Sequence, residues 1–257
     1  MIKTHHLLAT LATAVALSTV AQPSHAQEAP PIHNVVLVHG LFADGSSWEK
    51  VIPLLQKAGL HVTSVQNPLT SFDDDVQATD RAIALQDGPV LLVAHSYGGM
   101  VITQAGNDPK VKGLVYVAAR APDAGENFAA LAGKFPTPPA SAGIVWAQDG
   151  FGQLSEPAFL RDFAGDLPEA EARGYYAVQG RVAKSTPTAS PTQAAWRTKP
   201  SWYAVSTQDR TINPDLERFM AQRMKATTIE IDASHVSMLS HPKQVAELIL
   251  SAAGASK

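Results

Sequence analysis

Apolar residues along this chain come in short unbroken blocks, separated by stretches with helical spacing. "NVVLVHG" (34–40) is apolar without alternation and ends in glycine. That is the pattern of a strand buried on both faces of a parallel sheet. "SSWEKVIPLLQKAG" follows, with Trp48, Val51, Ile52 and Leu55 at helical spacing. Pro53 predicts a kink in that helix and Gly59 its end. "HVTSVQNP" predicts the next strand. "SFDDDVQATDRAIALQDG" predicts a helix with Asp73, Asp74 and Asp75 in its first turn, where the helix dipole favours acids. "PVLLVAHS", a helix from Gly98 to Gly106 and "GLVYVAA" (113–119) continue the series. Strands and helices alternating through short links predict right-handed crossovers and a doubly wound parallel sheet.

The rhythm stops between Arg120 and Lys199, where prolines, scattered aromatics and short helical patterns replace it and no strand pattern stands out. It resumes with "SWYAVST" (201–207), a helix from about Pro214 to Met224, "TTIEIDA" (227–233) and a helix from Pro242 to about Ala253. The expectation is one α/β domain over residues 27–257. A helical cap insertion over about 121–199 lies across the carboxyl edge of the sheet, the edge where open α/β folds bind ligands.

Residues 1–26 stand apart from this pattern. Lys3 precedes an apolar run from Leu7 to Val20, about 14 residues against the roughly 20 that a membrane span needs. Ser24-His25-Ala26 then places small residues at the first and third positions of a signal-peptidase site. The expectation is a cleaved export signal, a bacterial periplasmic or secreted protein, and no membrane association after cleavage. His5 and His6 leave with the signal and form no metal site.

Composition narrows the chemistry. The 257-residue chain has no cysteine, which excludes disulfides, thiolate metal sites and cysteine nucleophiles. A net charge of −3 without a basic block gives no electrostatic basis for binding nucleic acid.

One stretch demands an explanation, "VLLVAHSYGGMVI" (90–102), where a buried strand ends by turning sharply around a serine. A strand-turn-helix of this kind holds one side chain at its apex in strained backbone and needs small neighbours so that the helix can pass close. Gly98 and Gly99 meet that need, and only Ala94 departs from the G-x-S-x-G pattern of a nucleophile elbow. A serine hydroxyl needs a base, and the base an orienting acid, in the chain order serine, acid, histidine. Two histidines follow Ser96. His235 stands directly after the last strand, whereas His241 beside Pro242 reads as a helix-start residue. Asp209, in a turn after "SWYAVST", is the favoured acid; Asp232 and Asp123 are rivals. The backbone N–H of Tyr97 and that of Leu41, in the loop after the first strand, are the expected oxyanion donors. His39 and His95 read as structural histidines.

With "LVHGLFADGSSW", "VYVAARAPDAGE", "STQDRTI" and "SHVSMLSHP", these motifs resemble the α/β-hydrolase superfamily. Within it they resemble the group of plant methylesterases, hydroxynitrile lyases and small bacterial esterases. The resemblance implies an α/β-hydrolase fold, no cofactor and no metal, with Ser96, Asp209 and His235 as catalytic triad and Leu41 and Tyr97 as oxyanion donors. Lyases of the group carry threonine where this chain has Gly40, and lysine after the catalytic histidine, where it has Val236. The function implied is therefore that of a serine carboxylesterase acting on small, largely apolar esters. The alternatives are hydroxynitrile lyase, perhydrolase or thioester chemistry on the same triad, or a homologue that binds small molecules without catalysis. Oligomeric state and the particular ester are not readable.

Overall fold

The computed structural model describes residues 1–2 and 32–255, so the export segment read over residues 1–26 lies, apart from its first two residues, outside the described residues. Strand β1 (Asn34–Val38) is wholly buried, as its unbroken apolar run requires. A 3₁₀ turn at Gly45–Trp48 precedes helix α1 (Ile52–Lys57). Pro53 therefore sits in the first turn of α1, where its missing N–H costs nothing, and does not kink a longer helix. Strand β2 (His61–Val65), helix α2 (Phe72–Ala84), strand β3 (Val90–His95), helix α3 (Gly98–Ala105) and strand β4 (Val111–Val117) follow. Ser71 caps α2 by accepting the N–H of Asp74 at 3.0 Å.

The expected helical insertion is present and also holds a small antiparallel sheet. Helix α4 (Phe128–Ala132) leads to strands β5 (Ile144–Trp146) and β6 (Phe151–Leu154). A helical turn α5 (Glu156–Ala158) runs into a π-helical turn at Phe159–Phe163, and helix α6 (Glu169–Ala177) leads to strand β7 (Val182–Ala183). Strands β5, β6 and β7 form a three-stranded sheet. At three, four and two residues these strands are too short for alternation to stand out in the sequence. The main sheet then closes with β8 (Ser201–Ser206), helix α7 (Pro214–Arg223), strand β9 (Thr227–Ile231), helix α8 (Ser237–Ser240) and helix α9 (Pro242–Ala252).

The main sheet has six strands in the order β2-β1-β3-β4-β8-β9, all parallel. The chain moves outward from β1 to β2, then returns to place β3 on the other side of β1. The strand order thus reverses between β1 and β3, and a crevice opens at their carboxyl ends. In that register Val38 pairs with Ala94, so Gly40 and Ser96, two residues further along each strand, stand side by side. The insertion is tied to this edge. Ala183 N–H donates to Leu69 O after β2 at 2.9 Å, Ala140 N–H to Arg210 O after β8 at 3.0 Å, and Ser234 N–H, after β9, to Asp166 Oδ2 at 2.9 Å.

Backbone strain collects at the same edge. Phe42, Leu69, Ser96 and Ala118 have φ of 58°, 57°, 54° and 43°, one in each loop that follows β1, β2, β3 and β4. Such conformations cost non-glycine residues about 1–3 kcal/mol each and persist only when packing over-determines them. Around Ser96 it does. A Cβ on Gly98 would meet Val38 O at 2.7 Å and His39 O at 2.8 Å. Gly98→Ala should therefore lower the free energy of unfolding by about 1–3 kcal/mol, because rigid backbone has to yield. Urea denaturation checks this, and a midpoint equal to wild type contradicts it.

Candidate active site

Ser96 sits at the apex between β3 and α3, 4% exposed, with its left-handed backbone turning the side chain off the sheet. Glycine lines the approach on both sides. A Cβ on Gly40 would lie 2.6 Å from Ser96 Cβ, and one on Gly99 would lie 2.2 Å from Arg120 O. Ala94 fits at the remaining position of the elbow, buried between its Cα partners Val38 and Tyr116.

His235 lies in the loop after β9, fully buried, and its Nδ1 is 2.5 Å from Asp209 Oδ2. A carboxylate only accepts, so Nδ1 carries the proton and donates, leaving Nε2 with a free lone pair. Nε2 is shielded from solvent and makes no hydrogen bond with any described residue. Asp209 is itself fixed. Its Oδ1 accepts the N–H of Thr211 at 2.6 Å and of Ile212 at 2.9 Å, an Asx-type turn closing the "QDRTI" loop. The ring of Phe163, from the π-helical turn, packs 5.0 Å from the ring of His235 and holds it from the insertion side.

The rivals face elsewhere. Asp232 is exposed and accepts from Gln208 Nε2 at 3.0 Å. Asp123 pairs with Arg197 at 2.5 Å. His241 stands at the start of α9 and bonds Ser240 Oγ at 2.9 Å.

His39 and His95 hold the site together. His39 Nε2 accepts the N–H of Asn67 at 2.9 Å, so its Nδ1 donates to Gly40 O at 2.9 Å and sets the turn of that loop. Burial pushes His39 below the usual imidazole range, so the ring stays neutral. His95 Nε2 donates to the carbonyl of His235 at 3.0 Å, linking elbow and base loop across the sheet. Burial pushes His95 well down too. Leu41 follows Gly40 directly and Tyr97 follows Ser96. Neither N–H engages a carbonyl of the loops and turns among the described residues, so both remain available beside Ser96.

Two acids lie behind these residues unforeseen. Glu217 of α7 is fully buried. Its Oε2 accepts the N–H of Ser206 at 3.1 Å, while its Oε1 is buried without a hydrogen-bond partner among the described residues. Burial first, then the charge of Asp209, push Glu217 well above the usual carboxylate range, so Glu217 is held protonated. Asp75 of α2 is buried as well. It accepts the N–H of strained Leu69 at 2.8 Å and the hydroxyl of Tyr97 at 2.8 Å, and burial pushes it up to about 6. Both were readable as part of an apolar stripe. Glu217 precedes Met220 and Ala221 by three and four positions, and Asp75 lies between Phe72 and Thr79 at the same spacings.

Residues 35–248 match the alpha/beta hydrolase family. The chain belongs to that family. Among its relatives, methylesterase 3 of Arabidopsis thaliana is 26% identical over 251 residues, covering 84% of this chain and 94% of that one. The pyrethroid hydrolase of Sphingobium wenxiniae is 25% identical over 246 residues, covering 85% and 86%. A carbendazim-hydrolysing esterase of Nocardioides is 34% identical over 128 residues, which span 44% of this chain and about half, 52%, of that relative. An Arabidopsis thaliana α-hydroxynitrile lyase matches over 106 residues at 31% identity, 35% of this chain and 41% of that one. In fold, the chain superposes on a pyrethroid hydrolase from Sphingobium faniae with a TM-score of 0.72 at 21% identity, covering 87% of this chain and 98% of that one. This alpha/beta hydrolase is thus related to methylesterases, a hydroxynitrile lyase and pyrethroid hydrolases.

The protonation of Glu217 gives a pH signature. A carboxyl raised on folding stabilises most below its unfolded pKa, and that stability is lost as pH rises toward the folded pKa. Glu217→Gln keeps an acceptor for Ser206 but does not titrate. Its denaturation midpoint relative to wild type should therefore rise from pH 5 to pH 9. A difference independent of pH contradicts the protonated carboxyl.

Proposed function

We propose that this alpha/beta hydrolase is a serine carboxylesterase that cleaves small, largely apolar carboxylic esters through an acyl-enzyme. The observation that carries this reading is the Asp209–His235 pair. It fixes the imidazole in the tautomer whose buried Nε2 is free to accept a proton, on the same sheet edge that presents Ser96 at its strained apex. Relatives named as esterases and methylesterases support it.

The steps follow from these groups. His235 Nε2 takes the Ser96 Oγ proton as Oγ bonds to the ester carbonyl carbon. The oxyanion rests on the N–H groups of Leu41 and Tyr97. Collapse breaks the bond to the alkoxy oxygen, which leaves as alcohol with the proton from Nε2. Water then repeats the sequence and releases the acid. Asp209 stabilises the imidazolium formed in each half, and His95, bonded to the carbonyl of His235, holds the loop that carries it. No step calls on a cofactor or metal ion.

A cleft of about 420 Å³ beside the elbow, lined by Phe42, Phe128, Ala132, Ile144 and Leu216 among others, suits an apolar ester of modest size. Gly40 and Val236 weigh against cyanohydrin cleavage. A threonine at Gly40 has no room against Ser96, and Val236 is buried beside Phe163 and Leu239 and offers no charge to a leaving cyanide.

We further propose that the protein is exported to a bacterial periplasm or the medium, on the pattern of residues 1–26. Among the described residues no helix is long and apolar enough to cross a membrane.

Ser96→Ala should lower p-nitrophenyl acetate and butyrate hydrolysis by about 10,000-fold or more with the fold intact by circular dichroism. A variant retaining a tenth of wild-type turnover refutes the assignment, and so does wild-type cyanide release from mandelonitrile that rivals its ester turnover. Mass spectrometry of the exported protein should find Gln27 at the N-terminus; an intact Met1 refutes the signal.

A further inference from the structure

Arg120 is the one cation in the wall of the apolar cleft. It lies three residues past the end of β4, and its backbone N–H donates to Ser96 O at 2.9 Å, which anchors it beside the elbow. Its guanidinium lies 4.7 Å over the ring of Phe128 in α4. Among the described residues it makes no side-chain hydrogen bond and no ion pair, and its Nε is shielded from water without an acceptor. The arginines nearby behave differently: Arg197 pairs with Asp123 and Arg223 with Glu126.

A guanidinium partly withdrawn from water, as Arg120 is at its Nε, is costly unless an anion or a set of acceptors replaces the lost hydration. Phe128 offsets part of that cost through its ring face. Tyr97, an ionisable group whose charge would bear on Arg120, gives no counter-charge, because burial pushes its phenol far above the usual range. Burial lowers Arg120 itself only to about 10, so it stays charged near neutral pH. The remaining cleft wall, with Phe42, Ile144 and Leu216, supplies no carboxylate.

We infer that the unpaired guanidinium of Arg120 is the counter-ion for a carboxylate on the substrate, so that the esters cleaved at Ser96 are those of molecules bearing a second, free acid group. Planar guanidinium and carboxylate match in a bidentate pair, and the apolar wall takes the carbon chain between carboxylate and ester. The inference rests on the esterase reading and makes it specific, since it names the charge the substrate carries.

The test compares matched esters. On the acyl side, 4-nitrophenyl hydrogen glutarate is set against 4-nitrophenyl valerate; on the alcohol side, 4-acetoxybenzoate against phenyl acetate. In at least one pair kcat/KM should favour the anion tenfold or more. Arg120→Gln should reduce that ratio at least tenfold, and Arg120→Lys, which keeps the charge, should reduce it less. Because the readout is a ratio, a general loss of activity in a variant does not mimic the effect. Calorimetry with Ser96→Ala adds an arm independent of turnover: the free dicarboxylate or 4-hydroxybenzoate should bind, and adding Arg120→Gln should abolish binding. Equal kcat/KM within both pairs, or a preference that survives Arg120→Gln, overturns the inference while leaving the esterase intact and shows Arg120 to be a structural peg on Phe128. Failure to cleave any of the four esters, with the carboxylate still bound, overturns the esterase reading instead.

Discussion

The site depends first on the backbone at Ser96. A serine held at φ 54° is a local loss of about 1–2 kcal/mol, and nothing in its own side chain repays it. What holds it there is close approach. β1 and β3 run in register to Val38 and Ala94, and the chain beyond each has only glycine where a Cβ would strike Ser96 or the ends of β1. The strand switch between β1 and β3 opens the crevice, and glycine lets two loops enter it together. The loop bearing Gly40 and Leu41 and the turn bearing Ser96 are thus placed by one packing constraint, so a change on either side is felt by both.

Behind this apex a polar network substitutes for the apolar core. Asp209, His235 and His95 form a continuous chain of hydrogen bonds, with Thr211 and Ile212 giving backbone N–H groups to Asp209 and Ser206 giving its own to Glu217 behind them. The free lone pair on His235 Nε2 is the end of that chain. Asp75 does the corresponding work on the other flank, where its two oxygens join the strained Leu69 to the ring of Tyr97. The candidate site is built on strands and strand ends, and the insertion contributes the ring of Phe163 against His235 and much of the cleft wall.

The parallel sheet was legible because a strand buried on both faces must be apolar throughout, as "NVVLVHG" and "PVLLVAHS" are. Ser96, Asp209 and His235 were legible because each stands within a few residues of a strand's carboxyl end, on the edge where the fold brings strand ends together. The structure gathers Asp209 and His235 into one hydrogen bond and leaves Asp232, Asp123 and His241 facing outward. The insertion was less legible. Its strands run three, four and two residues, below the length at which alternation can be told from chance. Pro53 was read as a kink because the helix start at Ile52 carries no side-chain cap to mark it. Glu217 and Asp75 resemble ordinary helix acids in sequence; only their place on an apolar stripe betrays burial. Arg120 gives no local sign at all, since its meaning lies in the absence of an acid that the fold brings near.

The central claim is that Ser96 is an activated nucleophile fed by the Asp209–His235 pair. Treatment with diethyl 4-nitrophenyl phosphate, followed by peptide mass mapping, tests it most directly. The account predicts one diethylphosphoryl group per chain, on the peptide bearing Ser96, formed in step with the loss of ester hydrolysis. Full hydrolysis with Ser96 unmodified, or inactivation by a label on another residue, would contradict it.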